Sequence, residues 1–153
     1  MSVSRGKDFE SIVKSEFEKI PETLVYRIPD QVTYKTGSKN PCDFFVYHRP
    51  TFFAVECKAT NKSTLPFTNI TEYQWQSLLE MSKFDGVVAG ILCWFVNYDR
   101  TVFLPIQFLE ILKQNSAKSI RYDADDKHIL DIPGKKKRVF WEYSLDVLFQ
   151  SYC

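Results

Sequence analysis

Two strand-like stretches, Cys42–Tyr47 and Thr51–Lys58, flank the turn sequence His48-Arg49-Pro50-Thr51, and this pairing constrains the fold more than any other feature of the chain. Both arms are rich in the aromatic and β-branched residues that suit a pleated surface. If Tyr47 pairs with Phe52, a symmetric hairpin sets Phe45 opposite Ala54 and Asp43 opposite Glu56, with opposed Cβ atoms about 4.5–5.5 Å apart. Side-chain alternation then turns Glu56 and Lys58 to one face and Cys57 to the other. The same register opposes Cys42 and Cys57 on that other face, close enough to approach bonding distance, although a reducing cytosol would keep them as thiols. Pro50 fits poorly at the third position of a tight trans turn, so a looser loop is expected.

Opposed carboxylates on a sheet repel, so the arrangement calls for a cation between them. Hard oxygen donors suit Mg²⁺ or Mn²⁺ rather than zinc. The four cysteines, Cys42, Cys57, Cys93 and Cys153, lack zinc-ligand spacing. A Glu-x-Lys triplet alone is common by chance. Its weight here comes from the acid at a register-compatible distance and from the placement of Asp43 beside the apolar Phe44-Phe45-Val46. With Lys58 on the acidic face, the outline is that of a metal-dependent nuclease site. His48 and His128 have no serine or cysteine neighbour arranged for nucleophilic catalysis. Most of the aromatic content, including Trp94 and Trp141, is core material. Trp75, next to Gln74, is the exception to test, since a junction binder could use an exposed ring there.

With 153 residues, 44% apolar and 16% aromatic, residues 1–153 form one domain with a real core. The longest apolar run, Gly86 to Val96, is far short of the roughly 20 residues a membrane helix needs, and Met1–Arg5 opens no secretion signal. A cytoplasmic protein with no membrane association is expected. A net charge of +1 means that any basic surface is local. Arg5, Lys7, Lys35, Lys39, Arg49, Lys58 and Lys62 fall around the acid pair, whereas Asp123, Asp125 and Asp126 fall in a distal loop. The run Lys135–Arg138 reads as a solvated turn, with phosphate contact as the alternative.

Along the chain, Phe9, Ile12, Val13, Phe17 and Ile20 share one helical stripe within Ser4–Ile20, ended by Pro21. Strands follow at Leu24–Ile28 and in the hairpin. A loop, Ala59–Asn69, leads to a helix from Thr71 to about Phe84, opened by a Thr71/Gln74 capping box. Gly86–Val96, Thr101–Leu104 and Val139–Trp141 read as strands, and Ile106–Gln114 and Ser144–Phe149 as helices. The order αβββαββα, closed by the short strand and the terminal helix, predicts an α/β fold.

This combination resembles the PD-(D/E)xK nucleases, and within them the Holliday junction resolvases. Gly6-Lys7-Asp8-Phe9-Glu10 is similar to the family's helix-one motif. Gly37-Ser38-Lys39 ahead of Pro41 and Asp43 is similar to the archaeal resolvases' loop into the metal site. Glu56-Cys57-Lys58-Ala59-Thr60, then Leu65–Ile70, Tyr73-Gln74 and the closing Tyr143–Leu148 resemble the bacterial RecU-type enzymes. The resemblance implies a restriction-endonuclease-like αβββαβ core, with a central mixed sheet flanked by helices. It implies that Asp43, Glu56 and the main-chain carbonyl of Cys57 hold Mg²⁺ or Mn²⁺, with Glu10 helping to bind a second metal. Lys58 would stabilise charge, and Gln74 would bond the attacking water or a phosphate.

Ser38, with Lys39, Arg5, Lys7 and Lys62, would contact DNA. The substrate implied is a four-way DNA junction cut during recombination by a homodimer with no organic cofactor, a compact member of the group such as a phage would encode. A restriction-type or phage recombination nuclease, and a non-catalytic DNA-binding module, remain open at this stage.

Overall fold

In the computed structural model, which describes residues 5–30, 40–136 and 141–153, the first helix, α1, spans Arg5–Glu18. Phe9, Val13 and Phe17, four residues apart, are shut off from solvent on one stripe of it. β1 (Thr23–Arg27), β2 (Phe44–His48) and β3 (Thr51–Thr60) follow as an antiparallel meander. A short β4 (Thr64–Pro66) and a 3-10 turn (Phe67–Asn69) lead into α2 (Glu72–Ser82). That helix returns the chain so that β5 (Val87–Phe95) lies parallel to β3. β6 (Arg100–Pro105) folds back on β5, followed by α3 (Ile106–Gln114), β7 (Ser119–Arg121), β8 (Leu130–Asp131), β9 (Gly134–Lys136), β10 (Trp141–Tyr143) and α4 (Asp146–Tyr152).

The main sheet has the order β1-β2-β3-β5-β6-β8, while β4 pairs with β7 and β9 with β10. It is the mixed sheet flanked by helices that the αβββαβ order predicts, with β4 as an addition. One face packs Ala54, Ile91, Cys93 and Leu104 against Trp75 and Leu78 of α2 and Leu109 of α3. The other packs Phe44, Phe53, Val55, Leu92 and Phe103 against Phe9 and Phe17 of α1 and Leu148 of α4. β3 and β5 are covered on both faces, which accounts for the unbroken apolar run of β5.

Helix and strand boundaries shift from the sequence reading by a few residues at most. β4, β7, β8 and β9 were absent from it, because ladders of two or three residues carry too little periodicity to register. The closing strand is described as Trp141–Tyr143; residues 137–140, with Val139 and Phe140 of the expected strand and Lys137 and Arg138 of the basic run, lie outside the described residues.

The hairpin register is as predicted at Tyr47↔Phe52 and Phe45↔Ala54. The turn is tighter than expected: His48 pairs with Thr51, and the Arg49–Pro50 bond is cis, the arrangement that admits proline at the third position of a tight turn. The ladder ends at Phe44↔Val55, one pair before the acids. There the backbone bends, and the Asp43 amide donates to the Val55 carbonyl at 3.1 Å. The bend sends Cys42 into the core beneath α2, whereas Cys57 faces α1. The expected opposition of these two thiols is therefore wrong, and all four cysteines are free.

Candidate active site

β2 and β3 bring Asp43, Glu56 and Lys58 together by local geometry. Glu56 and Lys58 share the face of Ala54, and Cys57 points to the other core, as alternation requires. The bend at Asp43 aims its carboxylate at β3: the Cys57 amide donates to Asp43 Oδ2 at 2.9 Å. Main-chain bonds hold this bend from both sides, with the Ile28 amide donating to the Asp43 carbonyl at 2.9 Å.

Glu56 is only 4% exposed. Its Oε2 lies 3.2 Å from Lys58 Nζ, while Oε1 is buried without a hydrogen-bond partner. Burial, with the neighbouring charge of Asp43, pushes the Glu56 carboxyl up to about 8 against the pull of Lys58. Burial raises Asp43 as well; the Cys57 amide opposes the rise, and the charge of Glu10 adds to it. Two acids that resist ionising side by side, one with an oxygen lacking any donor, match what a hard divalent cation requires. The oxygen donors present thus fit Mg²⁺ or Mn²⁺.

Glu10, on α1, is turned toward a residue absent from the sequence reading. Arg27 donates to Glu10 Oε1 from Nε at 3.1 Å and from Nη2 at 2.5 Å. Its guanidinium also bonds the Ile28 carbonyl and lies 4.0 Å from Asp43 Oδ1. Among the described residues no group of three or more His, Cys, Asp or Glu side chains converges as a metal cluster. The acid pair is therefore Asp43 and Glu56, with Glu10 alongside in the hands of Arg27. The signal for Arg27 was present in β1, where it shares the inward phase of Val25, a position that normally takes an apolar residue.

Gln74 completes the capping box: its backbone amide donates to Thr71 Oγ1 at 3.1 Å, and its side-chain Oε1 accepts from the Thr71 amide at 3.2 Å. Arg5 lies over the Trp94 ring at 5.9 Å, Lys7 lies 3.5 Å from Asp30, and Lys62 is exposed. Ser38 and Lys39 lie outside the described residues. Trp75 is buried at 1% exposure, donating to Glu110 at 2.7 Å. This rules out an exposed ring there: the helix phase that carries Leu78 inward carries Trp75 with it. His48 stacks on Phe149 at 4.2 Å and lies 2.9 Å from Thr23 Oγ1, a packing role.

A mixed sheet carrying an acid pair and a lysine on adjacent strands defines the restriction-endonuclease-like class. Residues 9–143 match the family model described as RecU, Recombination protein U. The chain belongs to this family of Holliday junction resolvases. Among solved structures it is similar to Hjc of Archaeoglobus fulgidus, a Holliday junction resolvase from an archaeal hyperthermophile. The identity is 19% and the TM-score 0.52, with 83% of this chain and 87% of that one covered. No curated protein matches it.

Proposed function

We propose that this chain, as a single domain acting in the cytoplasm, hydrolyses phosphodiester bonds of four-way DNA junctions with Asp43 and Glu56 as the ligands of Mg²⁺ or Mn²⁺. The observation that carries the metal reading is Glu56 Oε1, a carboxylate oxygen buried without a donor beside a second acid. The Cys57 carbonyl would complete the protein's share of the ligands. The chemistry such an ion supplies when bound is an activated water and neutralised charge on the phosphate.

The chain's own groups do the rest. Lys58, 3.2 Å from Glu56 on the same strand face, stabilises negative charge growing on the scissile phosphate. Arg27 keeps Glu10 oriented beside the pair, where that acid would help to hold a second ion through its water shell. Gln74 offers its side-chain amide nitrogen to a phosphate or to the attacking water, its oxygen being engaged at the helix cap. Arg5, Lys7 and Lys62, with Ser38 and Lys39, contact the flanking backbone; these contacts set position rather than sequence.

A homodimer is supported by the open face of β1 and β2. Leu24 and Tyr26 are 66% and 54% exposed, and Tyr47, which pairs with Leu24, is 41% exposed. Such a patch on a two-fold interface would place two sites on a two-fold symmetric substrate.

The test is cleavage of a labelled four-way junction, with linear duplex and single strands as controls, in Mg²⁺ against EDTA and for wild type against Asp43→Asn. Paired nicks confined to the junction and lost with metal or Asp43 are expected. Equal cutting of linear DNA would remove the junction assignment, and junction binding without any metal-dependent cleavage would remove the enzyme.

A further inference from the structure

Tyr98, at the tip of the β5–β6 hairpin, stacks on Tyr122 just beyond β7, with ring centroids 3.8 Å apart and planes inclined by 15°. The Arg121 guanidinium lies 5.6 Å from the Tyr122 ring centroid. Tyr98 is 41% exposed, while Tyr122 is half-buried against the core beneath α2 and α3. This is the side of the sheet to which Glu56 and Lys58 point.

The stack has a built support. Arg100 Nη1 donates to the carbonyls of Tyr122 and Ala124 at 2.6 and 2.8 Å, and its Nε donates to Asp131 at 2.9 Å. The Tyr122 amide donates to the Ser63 carbonyl at 2.8 Å, and Asn97 Nδ2 to the Asn61 carbonyl at 2.7 Å. Tyr122 and the neighbour of Tyr98 are thereby tied to the segment that leaves β3 after Thr60. Asn61 follows Thr60, the last residue of β3, and is three residues past Lys58. Exposed Lys62 lies in the same segment.

Nothing in the cleavage chemistry uses this pair, and core packing does not require a ring that is 41% open to solvent. From these placements we infer that Tyr98, backed by Tyr122, is a stacking platform for an unpaired nucleobase of the DNA substrate, on the side of the sheet to which Glu56 and Lys58 point. The inference rests on the nuclease reading above and adds to it a subsite for bases rather than phosphates. Stacking accepts any base, because every base has a π-face, and it needs that base to be out of its duplex. The platform thus favours DNA whose strands are opened, as at a branch point, over continuous duplex.

The experiment measures binding of the full chain in EDTA to three probes: a four-way junction, a duplex with a three-nucleotide single-stranded gap carrying 2-aminopurine, and an uninterrupted duplex. Tyr98→Ala and Tyr98→Leu are expected to weaken binding to the first two by about tenfold and to abolish 2-aminopurine quenching, with duplex binding unchanged. Tyr98→Phe retains wild-type behaviour, because it keeps the ring. The leucine variant preserves apolar cover on Tyr122, so a loss shared by Ala and Leu is a loss of the ring face and not of packing. Wild-type affinity in both variants, or an equal loss on uninterrupted duplex, overturns the platform. Cleavage of the junction by wild type in Mg²⁺, run in parallel, tests the nuclease reading separately; a chain that cuts but shows no Tyr98 effect fails only the platform.

Discussion

The guanidinium of Arg27 reaches Glu10 across the gap between β1 and α1, at 2.5 Å, and stands 4.0 Å from Asp43 on the neighbouring strand. One cation thereby supports two acids that would otherwise face each other, and it explains how the helix-one glutamate is held without a place in the acid pair. A double-mutant cycle of Arg27→Ala and Glu10→Gln, read by urea unfolding in EDTA, should give a coupling of about 1–2 kcal/mol. Arg27→Lys should restore only part of it, since an ammonium lacks the planar fork. A coupling near zero would show that the pair contributes nothing.

Glu56 makes metal-free stability depend on pH in a defined direction. Its carboxyl sits at about 8 in the folded chain against an ordinary 4.5, so the folded form binds the proton more tightly than the unfolded one. This contribution to stability is complete below the ordinary value and is lost as pH rises through about 8. The raised Asp43 acts in the same sense. Melting temperature in EDTA should fall across that window, Glu56→Gln should flatten the fall, and added Mg²⁺ should raise the melting temperature most at its upper end. An unchanged slope in Glu56→Gln would contradict the assignment.

Lys58 is expected to act on rate rather than on affinity. Lys58→Ala should reduce metal-dependent junction cleavage by about 10²–10³-fold, the scale of losing one preorganised charge-stabilising group. Junction affinity measured in EDTA should change little. Parallel losses in rate and binding would make Lys58 a backbone contact instead.

Thr71 and Gln74 separate a cap from a catalytic role. Each contributes one bond of the reciprocal pair, so Thr71→Ala and Gln74→Ala should each cost about 0.5–2 kcal/mol in denaturant unfolding. If the Gln74 side chain also serves the reaction, cleavage by Gln74→Ala at matched folded fraction falls below that of Thr71→Ala. Equal rates leave Gln74 as a cap alone.

The exposed face of β1 and β2 predicts an association defect. Leu24→Glu with Tyr26→Glu should shift sedimentation from dimer to monomer and remove the concentration dependence of the melting temperature, while the chain still folds, since both side chains are more than half exposed. A wild-type chain that sediments as a monomer would dismiss the homodimer.

Much of this was legible in the residues themselves. The β2–β3 register, the α1 stripe and the capping box are local patterns, set by side-chain alternation and by bonds between near neighbours in sequence. The types of donor at Asp43 and Glu56 likewise pointed to a hard cation without any coordinates. What the tertiary structure alone decided depends on contacts between segments distant in the chain. Arg27 meets Glu10 only because α1 packs over β1, and Trp75 is buried only because α2 lies on β5 with that face inward. Tyr98 stacks on Tyr122 only because β7 is drawn beside the exit of β3. The bend at Asp43, which separates Cys42 from Cys57, arises where the ladder gives way to main-chain bonds with Val55 and Ile28. Sequence alone determined which groups could carry the chemistry; burial and charged neighbours, which exist only in the folded chain, decided which acid resists ionisation and which charge it faces.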